Sequence, residues 1–384
     1  MKSEKRTILI FTDWYLPGYK AGGPISSCAN LVELLGDDFN FKVVCGDRDY
    51  LETEPYAGVE PNKWIPVGKA QVMYLSPDRQ KYGTIKSIIE QESADKIYLN
   101  GMFSKAFTIF PLIALRNNRS EVIVAPRGML APAAMGLKSF KKKAFLSLVK
   151  VLKLYAKVKF HATNSVEAHQ ISAWFGKIQV AVVENIPDLT TLEFSRKGHI
   201  KIENSLRLYS VARIAPEKNI HFALKCLKNI EPDIKVSFTV IGAIYNPDYY
   251  AFCQKIVAGL ENNVEVKFIG SMPKKEIPQI ANEADFFFLP TAGENYGHAI
   301  VEALIHGVPV IISTKTPWRN LKESKLGFDL ELIEKEFSNT INEVGRWGNN
   351  EYENEYKKIR INAAALINLN KLRTEYTNIF DGRD

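Results

Sequence analysis

One feature constrains this chain more than any other: short apolar runs alternate with longer helical patterns, and the alternation is run through twice. In the first run, candidate strands fall at 8–11, 42–45, 72–75, 97–99, 122–125, 160–162 and 180–183. Helical periodicities at 26–35, 84–92, 107–116 and 166–174 lie between them. The rhythm pauses from 185 to 205, where Pro187, Gly198 and polar residues leave little periodicity. It resumes with strands at 206–211, 235–241, 264–269, 286–289 and 308–313, and helices near 220–229, 249–260, 275–284 and 299–306. Strands alternating with helices predict parallel sheets covered on both faces. The chain therefore reads as two doubly wound α/β domains, 1–190 and 206–365, joined by a linker at 191–205. Two or three further helices are expected from Glu331 onward, the last at 366–384 packing back on the first domain. Open parallel sheets bind ligands outside the carboxyl ends of their strands, so the two domains are expected to face a central cleft.

Composition fits this reading and narrows the function. At 384 residues, 46% hydrophobic and 24% charged, the chain is long enough for two buried cores and unlike a disordered segment. Cys28, Cys45, Cys226 and Cys253 are scattered without a C-x-x-C pair, which argues against a disulfide framework or zinc site and fits a reducing compartment. The apolar run at 7–12 is too short for a signal peptide or a span, and no window approaches the roughly 18 apolar residues of a transmembrane helix. A cytoplasmic location is expected.

The net charge of +7 is concentrated. From Leu137 to Lys159 there are eight lysines and no acid, so the remainder nets −1 (7 − 8). Interleaved Phe140, Phe145, Leu146, Leu148, Val149, Leu152, Leu154 and Tyr155 give the stretch the pattern of a basic amphipathic helix. Two readings stay open: a core helix with a solvated lysine face, or docking on an anionic membrane surface. Nucleic acid is not expected as a partner, for no recognised motif accompanies the charge.

Three segments carry candidate chemistry. In the segment from Phe286 to Leu304, a buried strand ends at Pro290, a loop with Gly293 and Gly297 follows, and a helix starts near His298. Backbone N–H groups at such a start suit a diphosphate, and Gly297 permits close approach. Glu302 lies about 6–8 Å further along the helix, suited to a ribose diol. Glu294 lies on the other side of that anion, suited to sugar hydroxyls. Around the strand at 206–211, Arg213 and Lys218 follow its carboxyl end, where two cations could neutralise a leaving diphosphate. Near the N-terminus, Gly22-Gly23 sits at the first strand-to-helix turn. It lacks the spaced glycines of a dinucleotide fingerprint, and no G-K-[ST] P-loop is present. For each segment the plainer alternative is a turn or a surface charge.

Together, V-A-R-I-A-P-E-K-N, G-E-N-Y-G-H-A-I-V-E-A-L and H-G-V-P-V-I-I-S-T-K-T-P-W resemble the retaining GT-B glycosyltransferases of family four. Trp14–Pro17, Gly22-Gly23-Pro24 and the run Ala125-Pro126-Arg127-Gly128-Met129-Leu130 match as well, and the likeness runs from about residue 7 to 320. It looks closest to bacterial members that build surface polysaccharides. The resemblance implies the GT-B fold, two Rossmann-like domains, and a nucleotide-diphosphate sugar donor. It implies that Arg213 and Lys218 contact the diphosphate and Glu302 the ribose. Glu294, with the backbone of Asn295, Tyr296 and Gly297, would hold the sugar, and the Met272 backbone would meet the base. His298 would donate to the ligand, and Gly22 and Gly23 would approach the diphosphate from the first domain. No metal or other cofactor is implied, because cations and the helix dipole take that role.

The acceptor side departs from the pattern. Where similar proteins often carry a histidine before the glycine, this chain has Asn100-Gly101. An amide cannot act as a general base near neutral pH, which fits a front-face mechanism in which the leaving phosphate takes the acceptor's proton. Asn100 and Arg127 are the acceptor-side candidates. His161, His169 and His298 are the titratable alternatives, His161 reading as a core strand residue. The leading expectation is a retaining transferase acting on a glycan or lipid-linked acceptor, peripheral on the inner membrane face. The alternatives are an inactive GT-B binding protein and a nucleotide-sugar epimerase of the same fold.

Overall fold

The structure is a computed structural model that describes residues 5–117, 120–136, 139–189, 196 and 198–382. It divides into two compact units, Met1–Pro187 with Leu369–Asp384, and Asp188–Asn368.

The first unit is built on an eight-stranded sheet. Its strands are β1 (Thr7–Thr12), β2 (Asn40–Gly46), β3 (Trp64–Val67), β4 (Ala70–Leu75), β5 (Lys96–Asn100), β6 (Glu121–Ala125), β7 (Val158–Ala162) and β8 (Val180–Val182). The order is β3-β4-β2-β1-β5-β6-β7-β8, and only the β3–β4 pair is antiparallel. The continuous apolar runs arise because β5 and β7 are buried at every position and β1 at all but its first. The edge strand β3, with Pro66 inside it, was not foreseen, since a proline demotes a four-residue run to an edge at most. Helices α1 (Gly23–Leu35), α2 (Tyr82–Glu92), α3 (Phe110–Ala114), α4 (Pro132–Gly136), α5 (Ser139–Val151) and α6 (Ser165–Phe175) connect the strands.

The basic stretch is not one helix. It is helical only over α5, while Lys153 takes a left-handed φ of 52°, Lys157 lies in a turn, and Lys159 is buried in β7. Leu137 and Lys138 lie outside the described residues. The helix breaks because Val158, Phe160 and Ala162 are needed by the sheet core, and a strand cannot continue the helical period.

The second unit has an all-parallel six-stranded sheet in the order β11-β10-β9-β12-β13-β14. Its strands are β9 (Ser205–Val211), β10 (Lys235–Ile241), β11 (Val264–Gly270), β12 (Phe286–Leu289), β13 (Val310–Ser313) and β14 (Gly327–Leu330). The central β12 is wholly buried, whereas the edge strand β11 alternates between covered and exposed positions. β14 is an addition to the expected strands. It opens at Gly327, where φ is 132° and a Cβ would lie 2.0 Å from the Val310 carbonyl oxygen.

Helices α7 (Ile220–Cys226), α8 (Pro247–Val257), α9 (Ile277–Glu283), α10 (His298–Ile305), α11 (Glu334–Arg346), α12 (Asn349–Tyr356) and α13 (Ile359–Leu366) complete this unit. With α14 (Leu369–Asp381), four helices follow Glu331 among the described residues, against the two or three expected. Short breaks at Trp347-Gly348, Lys357-Lys358 and Ile367-Asn368 divide them. α14 belongs to the first unit, where Phe380 packs against Phe39 at 5.5 Å and Tyr376 against His161 at 5.2 Å.

The chain passes between units at Pro187–Asp188, just ahead of the linker expected at 191. Val183 and Ile186 are still buried in the first unit, with Asn30 donating to the Ile186 carbonyl at 2.8 Å. Asp188 already pairs with Lys274 of the second. Residues 190–195 and 197 lie outside the described residues.

Candidate functional site

In the second unit, strand order reverses beside β9: β10 and β11 extend to one side, and β12 joins on the other. The loops leaving β9 and β12 therefore diverge and open a crevice at the carboxyl ends, the usual ligand position in such sheets. Those two loops are stitched together. Asn219 Nδ2 donates to the Pro290 carbonyl at 2.9 Å, and Ala292 N and Thr291 Oγ1 both donate to the Glu217 carbonyl at 3.1 Å. Ser313 Oγ donates to the Thr291 carbonyl at 2.6 Å, tying the loop to β13 as well.

This stitching brings Lys218 to Glu294, with Nζ and Oε1 2.5 Å apart and both side chains largely covered. Arg213 reaches Glu217 at 3.5 Å and lies over the Tyr245 ring at 5.1 Å. The Arg213 loop depends on a glycine that sequence reasoning missed. At Gly242, just past β10, a Cβ would sit 2.0 Å from the Ala212 carbonyl oxygen, so only glycine lets the strand ends pass so closely.

Gly297 precedes α10 with φ 81°, where a Cβ would also press on Ile300 at 2.8 Å. The first turn of α10 holds no acid, leaving its positive dipole end uncompensated from within the helix. His298 opens the helix with its ring edge on Tyr296 at 4.9 Å, and Asn295 is half-buried in the loop before it. The Tyr296 side chain faces inward, buried with Val301 and Ile305, and its carbonyl accepts from Trp318 Nε1 at 2.5 Å. Only the backbone of this loop is thus placed to meet a ligand at Tyr296. Trp318, which buttresses it, stood in the quoted motif without an assigned role.

Glu302, one turn into α10, is paired with Lys274 at 2.8 Å, and the same ammonium reaches Asp188 at 3.4 Å. Burial pushes the Lys274 ammonium down, but Glu302 and Asp188 outweigh it and hold it above the ordinary lysine range. Lys274 was not anticipated. Met272, two residues before it, packs its side chain against the hydrophobic core.

In the first unit, Gly22 caps α1 with φ 67°, and nothing lies within 4 Å of the Cβ it lacks. The demand for glycine there is conformational, and the space beside it is open. The loop is held from several sides. Asp49 Oδ2 accepts from Tyr19 N at 2.8 Å and Lys20 N at 3.1 Å, Tyr74 donates to the Leu16 carbonyl, and Asn100 Nδ2 donates to the Pro24 carbonyl at 3.0 Å. Gly23 is the first residue of α1.

Asn100 and Arg127 lie together in a buried polar network. Asn100 Oδ1 accepts from Arg127 Nε at 2.9 Å, and the guanidinium also donates to Tyr98 at 2.6 Å and to Asn185. Tyr98 in turn meets His161 Nδ1 at 2.7 Å, while His161 Nε2 meets the Val183 carbonyl at 2.8 Å. A carbonyl only accepts, so Nε2 carries the proton and Nδ1 accepts from Tyr98. Burial, reinforced by Arg127, pushes His161 down to about 3. It is a neutral core group, as its strand position suggested. His169 is exposed, with Nδ1 2.7 Å from the Ser165 carbonyl. Asn100 and Arg127 thus present a scaffold that holds the Pro24 end of the glycine loop. Among the described residues, no group of three or more His, Cys, Asp or Glu is arranged to hold a metal ion.

Residues 192–321 match the model of the family described as Glycosyl transferases group 1, spanning both loops that build the crevice. Most of the second unit therefore resembles a domain of that family. Across the chain, the crystal structure of HepE from Anabaena in complex with UDP-glucose is similar, with TM-score 0.71, 17% identity, and coverage of 98% of this chain and 99% of that one. That likeness gives both units the GT-B fold. The amylovoran biosynthesis glycosyltransferase AmsK of Erwinia amylovora is 29% identical over 128 residues, covering 32% of this chain and 31% of that protein. An uncharacterized 41.2 kDa protein in the cps region of Klebsiella pneumoniae is 26% identical over 227 residues, covering 56% of this chain and 59% of that protein. The chain thus spans less than two thirds of the length of either curated relative. The matched segment contains Arg213, Lys218, Met272, Glu294 to His298 and Glu302.

Proposed function

We propose that the protein is a retaining glycosyltransferase that moves a sugar from a nucleotide-diphosphate sugar to a lipid-linked glycan in bacterial surface-polysaccharide synthesis. The observation that carries this reading is the placement of two acids before and after the start of α10, each held by a lysine: Glu294 by Lys218 and Glu302 by Lys274. The diphosphate lies against the α10 start, its charge met by the helix dipole, Lys218 and Arg213. Glu302 accepts from the ribose and Glu294 from the donor sugar, offsetting positive charge at the anomeric carbon. The bond from that carbon to the diphosphate oxygen breaks with its electron pair going to the phosphate. That oxygen takes the acceptor hydroxyl's proton, and the new bond forms on the same face. The cations here take the place of a metal. The names of AmsK and of the cps-region protein, and the UDP-glucose held by HepE, support a nucleotide-sugar donor and a polysaccharide product.

A membrane surface is the second partner in this reading. No helix among the described residues is long and apolar enough to cross a membrane. Around α5, however, Phe140 is 84% and Val151 78% exposed, beside exposed Leu148, Leu152, Lys141, Lys143 and Lys150. Exposed apolar groups ringed by lysines suit peripheral docking on the anionic inner face of a plasma membrane.

Thermal unfolding with UDP, GDP, ADP and CDP sugars tests the donor. One nucleotide series at about 100 times its dissociation constant should stabilise by about 2.7 kcal/mol; no response to any of them contradicts the reading. NMR of the first-formed product tests retention, since an inverted anomeric configuration removes it. Replacing Lys141, Lys143 and Lys150 by serine should weaken binding to anionic liposomes by about 1 kcal/mol per lysine. Unchanged flotation would remove the membrane.

A further inference from the structure

One lysine of the second unit lies outside the sequence motifs, yet it ties together two acids that are far apart in the chain. Lys274 Nζ meets Glu302 Oε1 at 2.8 Å and Asp188 Oδ2 at 3.4 Å. Glu302 is one turn into α10, and Asp188 is the first residue of the second unit. Lys274 itself opens a single 3-10 turn, Lys274–Glu276, between β11 and α9. Its backbone is pinned on both sides. Met272 packs against the core before it, Ile277 is buried after it, and Glu276 N donates to the Pro273 carbonyl at 2.9 Å.

Charge decides what this ammonium can do. Two carboxylates share one cation, so the three groups together are net negative. An ammonium outnumbered in this way offers little to a phosphate, in contrast to Lys218, which meets a single acid in the loop before α10. What Lys274 offers is orientation. The side chains of Glu302 and Asp188 are only 12% and 16% exposed, and ion pairs so covered are weakly screened by salt. Burial pushes the Lys274 ammonium down, and the two acids outweigh it and keep it charged. An ionised carboxylate has about four acceptor sites. Lys274 takes one, on Oε1, so Glu302 keeps capacity for hydroxyls while its side chain is held. A free glutamate loses rotamer freedom when a ligand binds, and one already held has less to lose. Without the ammonium, Glu302 and Asp188 would repel each other as like charges.

We propose that Lys274, steadied by Asp188, is a positioning residue for nucleotide recognition: it sets the orientation in which Glu302 accepts from the sugar of the nucleotide, and so makes the site select ribose over 2′-deoxyribose. The inference rests on the donor reading, in which Glu302 meets the ribose. Lys274 acts through Glu302 and touches no part of the ligand.

The test uses the full chain and calorimetry. UDP, GDP, ADP and CDP are titrated first, and the tightest binder is then compared with its own 2′-deoxy form. Wild type should favour the ribose form about tenfold or more, the worth of a hydrogen bond to a charged group. In Lys274→Ala that preference should fall to about threefold or less, with the 2′-deoxy form bound within about twofold of wild type. Lys274→Arg should restore most of the preference, and Asp188→Asn should reduce it less than Lys274→Ala does. Circular dichroism checks folding, and Asp188→Asn carries the test should Lys274→Ala not fold. A merely structural lysine predicts equal losses for both forms. A preference unchanged in Lys274→Ala, or not restored by Lys274→Arg, overturns the proposal and leaves the donor reading standing. Failure of wild type to bind any of the four nucleotides strikes the donor reading, and the proposal with it.

Discussion

Two crevices of the same origin sit in this molecule, one beside β1 and one beside β9, each where a parallel sheet reverses its strand order. Backbone topology makes them alike; the side chains do not. The β9 crevice holds Arg213, Lys218 and Lys274 against Glu217, Glu294 and Glu302, with the open end of α10 between the two acids that flank it. In the β1 crevice Ser104 donates to Asp13, and the loop after β1 is held by Asp49. The fold thus supplies the place for a ligand, and local charge decides which part of a reaction goes there. The cations of the β9 crevice suit the anionic diphosphate of the proposed reaction.

The largest expected effect breaks the charge balance of the β9 crevice. Lys218→Ala leaves Glu294 without its partner beside the proposed diphosphate site, and Glu294→Ala removes the group proposed to face the anomeric carbon. Each should lower kcat by about 10²–10³, the usual result of deleting one electrostatic stabiliser. Steady-state kinetics checks this, and an effect confined to acceptor KM would erase the contrast between the crevices.

A smaller effect separates ribose from diphosphate within the same crevice. Glu302→Gln should raise the Kd for UDP about tenfold, while inorganic pyrophosphate changes by less than about twofold. Equal losses for both ligands would move Glu302 to the diphosphate. Calorimetry on the two ligands decides it.

A separate effect, on stability alone, concerns the scaffold under the β1 crevice. His161 is held neutral, with its folded value near 3 against 6.5 when unfolded. Between those values the unfolded chain binds a proton that the folded one does not. The contribution of neutral His161 is therefore complete above pH 6.5 and is lost as pH falls toward 3. Melting temperature should fall across that window, and less steeply in His161→Gln. An unchanged slope in that variant would remove His161 from the account.

Much of the β9 crevice was legible because its residues are close in sequence. The strand, glycine loop and helix from Phe286 to Glu302 form one continuous unit, and Arg213 and Lys218 flank one turn. Lys274, Gly242 and Asp13 were not legible. Lys274 meets Glu302 across 28 residues and Asp13 meets Ser104 across 91, so these contacts exist only once the sheets are assembled. Gly242 is required by a neighbouring strand end, which periodicity cannot reveal. The strands were readable from buried apolar runs, whereas β3 and β14 were not, being short and carrying Pro66 and Gly327. The lysine stretch misled because charge and apolar residues alternate similarly in α5 and in the strand entry after it. Asn100 drew notice as a missing base, and what its spacing could not show is its hydrogen bonding to Pro24 and Arg127.

The division between the crevices is tested most directly by titrating UDP into wild type, Lys218→Ala and Asp13→Asn in one calorimetric series. The account predicts a Kd raised about tenfold or more in Lys218→Ala and unchanged within about twofold in Asp13→Asn. UDP binding that survives Lys218→Ala but is lost in Asp13→Asn would contradict it.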